Sequence, residues 1–107
     1  MLGTRLFRVE GHAVISHEVL AAYARDAARE VEGVDDLVAR PRRSGGVHVV
    51  EEDGKTTVEL HVSLDWGVDA AAVGAEVQRR VAEYLARTAR LPSVTVDVVV
   101  DGIAAGD

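Results

Sequence analysis

The chain has 107 residues, 18 Asp plus Glu against 12 Lys plus Arg, a formal net charge of -6 and no cysteine. That length suits one domain with a core that needs no staples, and the missing cysteine excludes disulfides, zinc-thiolate sites and thiol nucleophiles. The acidic balance disfavours nucleic acid and anionic lipid, and no apolar run approaches the roughly 20 residues of a membrane helix, so direct membrane insertion and export are not expected.

Residues 1–6 are expected to form a flexible N-terminal tail, 7–103 a single domain and 104–107 a flexible C-terminal tail. Phe7 to Ile15 reads as a short strand, interrupted at Gly11. Ser16 is a good N-cap, with Glu18 in the first turn and Ile15 and Leu20 placed as a hydrophobic staple. The helix runs from about His17 to Glu32. Val19, Tyr23, Ala27 and Val31 form an apolar row, with Leu20, Ala24 and Ala28 beside it. Gly33 suits a left-handed cap.

Val34 to Arg40 reads as a strand whose apolar residues, Val34, Leu37 and Val38, depart from alternation. Arg40-Pro-Arg-Arg-Ser-Gly-Gly46 is a loop by composition. Val47 to Glu52 is a strand, and Asp53-Gly54 signals a two-residue hairpin. The next strand is the clearest element. Val58, Leu60, Val62, Leu64 and Trp66 alternate with Glu59, His61, Ser63 and Asp65, so one face is buried and one wet. Trp66 is thereby placed in the core.

Asp69 can cap a second helix reaching about Arg90. Val68 and Val73 form its staple, and Val73, Val77, Val81 and Leu85 its buried row. Glu76–Arg80 and Glu83–Arg87 are spaced as i,i+4 pairs. Pro92 stops the helix. Val94, Val96, Val98 and Val100 alternate along the last strand. Strand, long helix, strand is a crossover unit, which lets the last two strands lie parallel. The expected fold is α+β, a two-layer sandwich in the order β-α-β-β-β-α-β, with a mixed sheet and both helices on one face.

The open sheet face then carries Glu59, His61, Ser63, Asp65, Thr95, Asp97, Val99 and Asp101. His61 with these carboxylates is a possible metal set. Neighbours two apart on a strand project in parallel, however, and no second histidine is near, so a solvated face is expected and no metal is assigned. His17 beside Ser16 is not a catalytic dyad, because the serine oxygen is committed to the cap. Gly45-Gly46 after the arginines lacks the spacing and the following helix of a phosphate loop. It reads as a flexible loop. Arg40, Arg42 and Arg43 are candidates for an acidic partner. Val99 on the open face is a candidate for burial by another copy of the chain.

Gly11-His-Ala-Val-Ile-Ser16, Glu30-Val-Glu-Gly-Val34, Gly46-Val-His-Val49, Trp66-Gly67-Val68, Val77-Gln-Arg-Arg-Val81, Val94-Thr-Val-Asp-Val98 and Val100-Asp-Gly-Ile103 occur in a set order and spacing. Together they resemble the alkaline shock protein family, also called the envelope stress response family, of mainly Gram-positive bacteria. The resemblance covers about Val9 to Ile103. Trp66 stands where the family pattern has Tyr, and Asp97 where it has Asn.

The resemblance implies a non-enzymatic cytoplasmic interaction module linked to envelope stress. It implies self-assembly and a membrane-anchored protein partner that holds the module at the inner face of the membrane. It supplies no catalytic, cofactor-binding or metal residues and no small-molecule substrate. The candidate interaction surface is His61, Asp97, Val99, Arg40, Arg42 and Arg43, on the open sheet face and its neighbouring loop; a sheet edge, which can add a neighbour's strand, is the rival site. The alternative reading is a small nucleic-acid-binding module using the loop from Arg40 to Arg43. Net acidity and the absence of exposed sheet aromatics count against it.

Overall fold

The computed structural model describes residues 8–9, 12–13, 16–41, 44–91 and 93–105. In chain order its elements are β1 (Arg8–Val9), β2 (His12–Ala13), α1 (His17–Arg29), β3 (Val34–Leu37), β4 (Val47–Glu52), β5 (Lys55–Leu64), α2 (Ala70–Thr88) and β6 (Val94–Ile103).

The sheet is built around β5. β6 runs parallel along one side of it, from Thr56 beside Val94 to Leu64 beside Ile103. On its other side lie two antiparallel strands end to end: β4 along positions 55–60 and β3 along positions 62–64. The tight connection between β4 and β5 has positive φ at both Asp53 and Gly54, 51° and 77°, which is the backbone of a primed hairpin turn. The α+β fold with a mixed four-stranded sheet is the one that the alternation implies. The described residues of the first expected strand do not join it. β1 and β2 pair with each other as a separate ribbon. Val9 and His12 are three positions apart, so this pairing is local.

Alternation along β5 decides what is buried. Thr56, Val58, Leu60, Val62 and Leu64 are all inside. Leu20, Ala24, Ala27, Ala28 and Val31 from α1 and its end, with Val77, Val81 and Leu85 from α2, complete the core. Tyr23 and Tyr84 meet edge to face, with centroids 5.9 Å apart, a favourable aromatic geometry that joins the helices. The buried stripe of α1 is centred on Leu20 and Ala24, and Val19, expected within it, is exposed.

Both expected N-caps form. Ser16 Oγ accepts from the Val19 N–H at 3.2 Å, and Asp69 Oδ1 accepts from the Ala72 N–H at 3.1 Å. Each satisfies a donor that the helix itself leaves orphaned. The staple of α1 needs Ile15, which lies outside the described residues. The staple of α2 is present: Val68 and Val73 pack together beneath Gly33, where φ is 102°. α1 ends at Arg29, earlier than the apolar period suggests: the Glu30 and Val31 N–H groups bond to the Ala27 and Ala28 carbonyls as the chain turns, and Val31 stays in the core. The irregular apolar spacing of β3 has a similar local cause. Val34 faces Leu64 and Leu37 faces Val62, so one extra residue lies between them as a bulge. Beside it, the Leu37 backbone N–H and then the Arg29 guanidinium hold the Asp36 carboxyl below the usual carboxylate range.

On the outer face of α2, Arg79 binds Glu76 at 2.5 Å and Glu83 at 3.0 Å, and Arg80 reaches Glu76 at 3.7 Å. Arg87 lies over the Tyr84 ring. Past the end of α2, Arg90 takes φ 55°. Pro92, the expected stop, lies outside the described residues. A left-handed residue just after a helix favours glycine, and the conformation costs other residues about 1–2 kcal/mol. Arg90→Gly is therefore expected to raise stability by roughly 0.5–1 kcal/mol after the entropy of glycine is charged against it, read as a higher urea midpoint.

Candidate functional site

The face of β5 turned away from the helices presents Thr57, Glu59, His61 and Ser63. The parallel register sets His61 beside Val99 and Glu59 beside Asp97. After Val62 and Val100 the register slips, so that Ser63 pairs Gly102 and Asp101 is the extra residue. Asp101 is on the open face by parity, and at this bulge its carboxylate comes to lie beside His61.

His61 is only 8% exposed. Its Nδ1 lies 2.5 Å from Asp101 Oδ2 and its Nε2 lies 2.8 Å from Glu59 Oε2. A neutral imidazole carries one N–H, so only the doubly protonated ring donates to both carboxylates at once. Arg40 Nε lies 3.4 Å from the same Asp101 oxygen. Arg40 follows β3, on one side of β5, while Asp101 belongs to β6 on the other. The contact therefore crosses the open face above the central strand. Glu59, His61, Asp101 and Arg40 form one row of polar contacts across the face.

This corrects the expectation of a solvated face. The glutamate side chain is long enough to bend along its own strand, and the bulge supplies a second carboxylate from the neighbouring strand. His61 is consequently enclosed. Its ring nitrogens are both engaged, and the nearest hydroxyl, Ser63 Oγ, donates to Asp35 at 2.9 Å. No ring nitrogen is left to take a proton from a substrate or nucleophile. Among the described residues no group of three His, Asp or Glu side chains is arranged to hold a metal ion.

The candidate residues divide accordingly. His61 and Arg40 come together through Asp101, Val99 is half-buried beside them, and Asp97 is exposed one step along β6. Arg42 and Arg43 lie outside the described residues. Arg40 faces an acid of its own sheet. The loop glycines are also more constrained than their composition suggests: Gly46 is buried, with φ 82° and the His61 carbonyl close by.

Trp66 overturns a second expectation. It is 72% exposed, because β5 ends at Leu64 and the chain turns through Gly67 at φ 86° before α2. Extrapolating alternation past the last paired residue placed it inside. A Trp-Gly pair just ahead of a helix cap is the signal for that turn. Asp101-Gly102 is the corresponding signal for the bulge.

A profile of the alkaline shock protein 23 family, described as having a cell envelope-related function, matches residues 7–105. An uncharacterised protein of Streptococcus pyogenes serotype M6, Spy1535, is 32% identical over 104 residues, covering 89% of this chain and 81% of that protein. Among solved structures, the domain MamM-CTD 215-293 superposes with a TM-score of 0.52 at 14% identity, over 79% of this chain and 99% of that one. A zinc form of a MamM CTD variant gives 0.54 at 17% identity, over 84% and 86% of the two chains. At such identities the likeness is one of fold.

Proposed function

The chain belongs to the alkaline shock protein 23 family, cell envelope-related in function, and on that premise we propose that it is a non-enzymatic structural and interaction module linked to envelope stress. It works in the cytoplasm of a Gram-positive bacterium, by self-association and by docking on a membrane-anchored partner at the inner face of the membrane. The family match carries this reading, because it takes in nearly the whole chain. The geometry of the open face supports it: among the described residues the one enclosed histidine, His61, is held at both nitrogens by its own sheet. Among the described residues no helix is long and apolar enough to cross a membrane.

Sedimentation velocity over a concentration series tests self-association; a mass that rises with concentration is expected. A strict monomer at high concentration removes that half of the reading. Capture from envelope-stressed cells tests the other half, and a membrane-anchored protein is expected among the retained partners. Stoichiometric zinc or manganese in the purified protein would overturn the non-enzymatic assignment and return attention to His61.

A further inference from the structure

We propose that the outer edge of β6 accepts an extended segment of a second protein as an added strand, and that this segment is apolar at alternate positions and bears Lys or Arg between them. The inference rests on the docking reading above and assigns its surface and the chemistry of the partner.

Backbone direction along β6 is fixed at two points. The Ser93 carbonyl accepts from the Thr56 N–H, so Ser93 faces β5. The Val96 carbonyl instead accepts from Gln78 Nε2 at 2.9 Å, and so faces away from β5. Alternation then puts the backbone N–H and C=O of Val98 and Val100 on the outer edge as well. These are the groups that a further strand binds.

A trough runs beside that edge. Ala70, Ala71, Gly74 and Ala75 of α2 face Val98 and Val100 across a shallow volume of about 370 Å³. No side chain fills it at Gly74, where an added Cβ would meet nothing within 4 Å. At the same end of the sheet, Val100, Ile103 and Trp66 are 39%, 51% and 72% exposed. Alternate side chains of an added strand would enter the trough and cover this patch, with the tryptophan as an anchor.

Charge selects the occupant. Asp97 lies on β6, Asp69 caps the helix whose first turns line the trough and Asp65 follows the end of β5; all three are exposed, while Arg79 and Arg80 of α2 are held by Glu76 and Glu83. A basic segment complements this rim. A second copy paired edge to edge about a two-fold axis would bring its own aspartates against these. An anionic lipid surface is repelled for the same reason.

The test uses the full chain and a synthetic peptide alternating valine with lysine, with a valine–glutamate peptide as control. Trp66 is the only tryptophan, so its fluorescence reports on the patch, and amide shifts of Val98 and Val100 report on the edge. Saturable binding of the lysine peptide is expected, with both signals moving and the glutamate peptide at least roughly tenfold weaker. Gly74→Leu fills the trough without touching the core and should weaken binding by a similar factor while melting no lower than the parent. Equal binding of both peptides, no binding, or unchanged binding by Gly74→Leu overturns the proposal. So does loss of self-association in Gly74→Leu, which assigns the edge to a second copy, or a Trp66 shift with phosphatidylglycerol vesicles, which assigns it to lipid. If the peptide fails but capture from cells still succeeds, this surface falls and the docking reading stands. If capture fails as well, the docking reading falls with it.

Discussion

Gly46→Ala is expected to cost about 3 kcal/mol or more, a large part of the roughly 5–10 kcal/mol available to a domain of this size. Two effects add. The residue has φ 82°, which costs an alanine about 1–2 kcal/mol. Its Cβ would also lie 2.9 Å from Leu37 Cβ, 2.9 Å from the Val38 nitrogen and 3.0 Å from the His61 oxygen. Those last two atoms are the donor and acceptor of a 2.8 Å hydrogen bond that closes the chain onto β5 just beyond β3. Backbone atoms in a paired sheet cannot step aside as a flexible side chain does. Gly45→Ala is the control. It has a comparable φ of 66°, but its nearest neighbour is the end of the Arg25 side chain, so about 1–2 kcal/mol is expected. Urea midpoints at unchanged slope separate the two variants. Equal losses would mean that conformation alone sets the cost and that the contact with β5 contributes nothing.

That comparison also shows how much a sequence carries. Binary patterning located β5, most of the buried row of α2 and both caps, because each depends on residues within a few positions of one another. The long helix between the last two strands made them parallel, since a tight turn cannot join parallel neighbours. What escaped had non-local causes. Gly46 reads as loop composition until the His61 carbonyl is known to lie beneath it. Val34 and Leu37 break alternation only because β5 pairs both of them on one face across a bulge. Trp66 continues a perfect period of two, yet pairing stops at Leu64, and periodicity does not say where a partner strand ends.

The same distinction governs the open face. Listing Glu59, His61 and Asp101 on one side of the sheet was possible from parity alone. Seeing them as one enclosed row required the bulge, which shifts Asp101 beside the ring, and the reach of Arg40 over the strand. The identities of Glu59, His61 and Asp101 alone would have suited a metal as well as a hydrogen-bonded row. The distances decide for the row, since each ring nitrogen already has an oxygen at hydrogen-bond range.

His61→Ala is accordingly expected to destabilise the fold by about 2–3 kcal/mol, the scale for removing a buried donor from charged acceptors. Arg40→Ala should cost under about 1 kcal/mol, because its side chain is half exposed and the pair is long at 3.4 Å. Packing and charge are separated by His61→Leu, which keeps most of the ring's volume and removes both donors. If the carboxylates set the cost, leucine is as damaging as alanine; if volume sets it, leucine recovers most of the loss. A double-mutant cycle with Asp101→Asn isolates the pair, and a coupling of about 1–2 kcal/mol is expected. Sedimentation of the same folded variants then bears on function. Self-association that weakens in Arg40→Ala, where stability barely changes, places the contact on this face. Self-association that persists in every variant that stays folded removes the face from the interface.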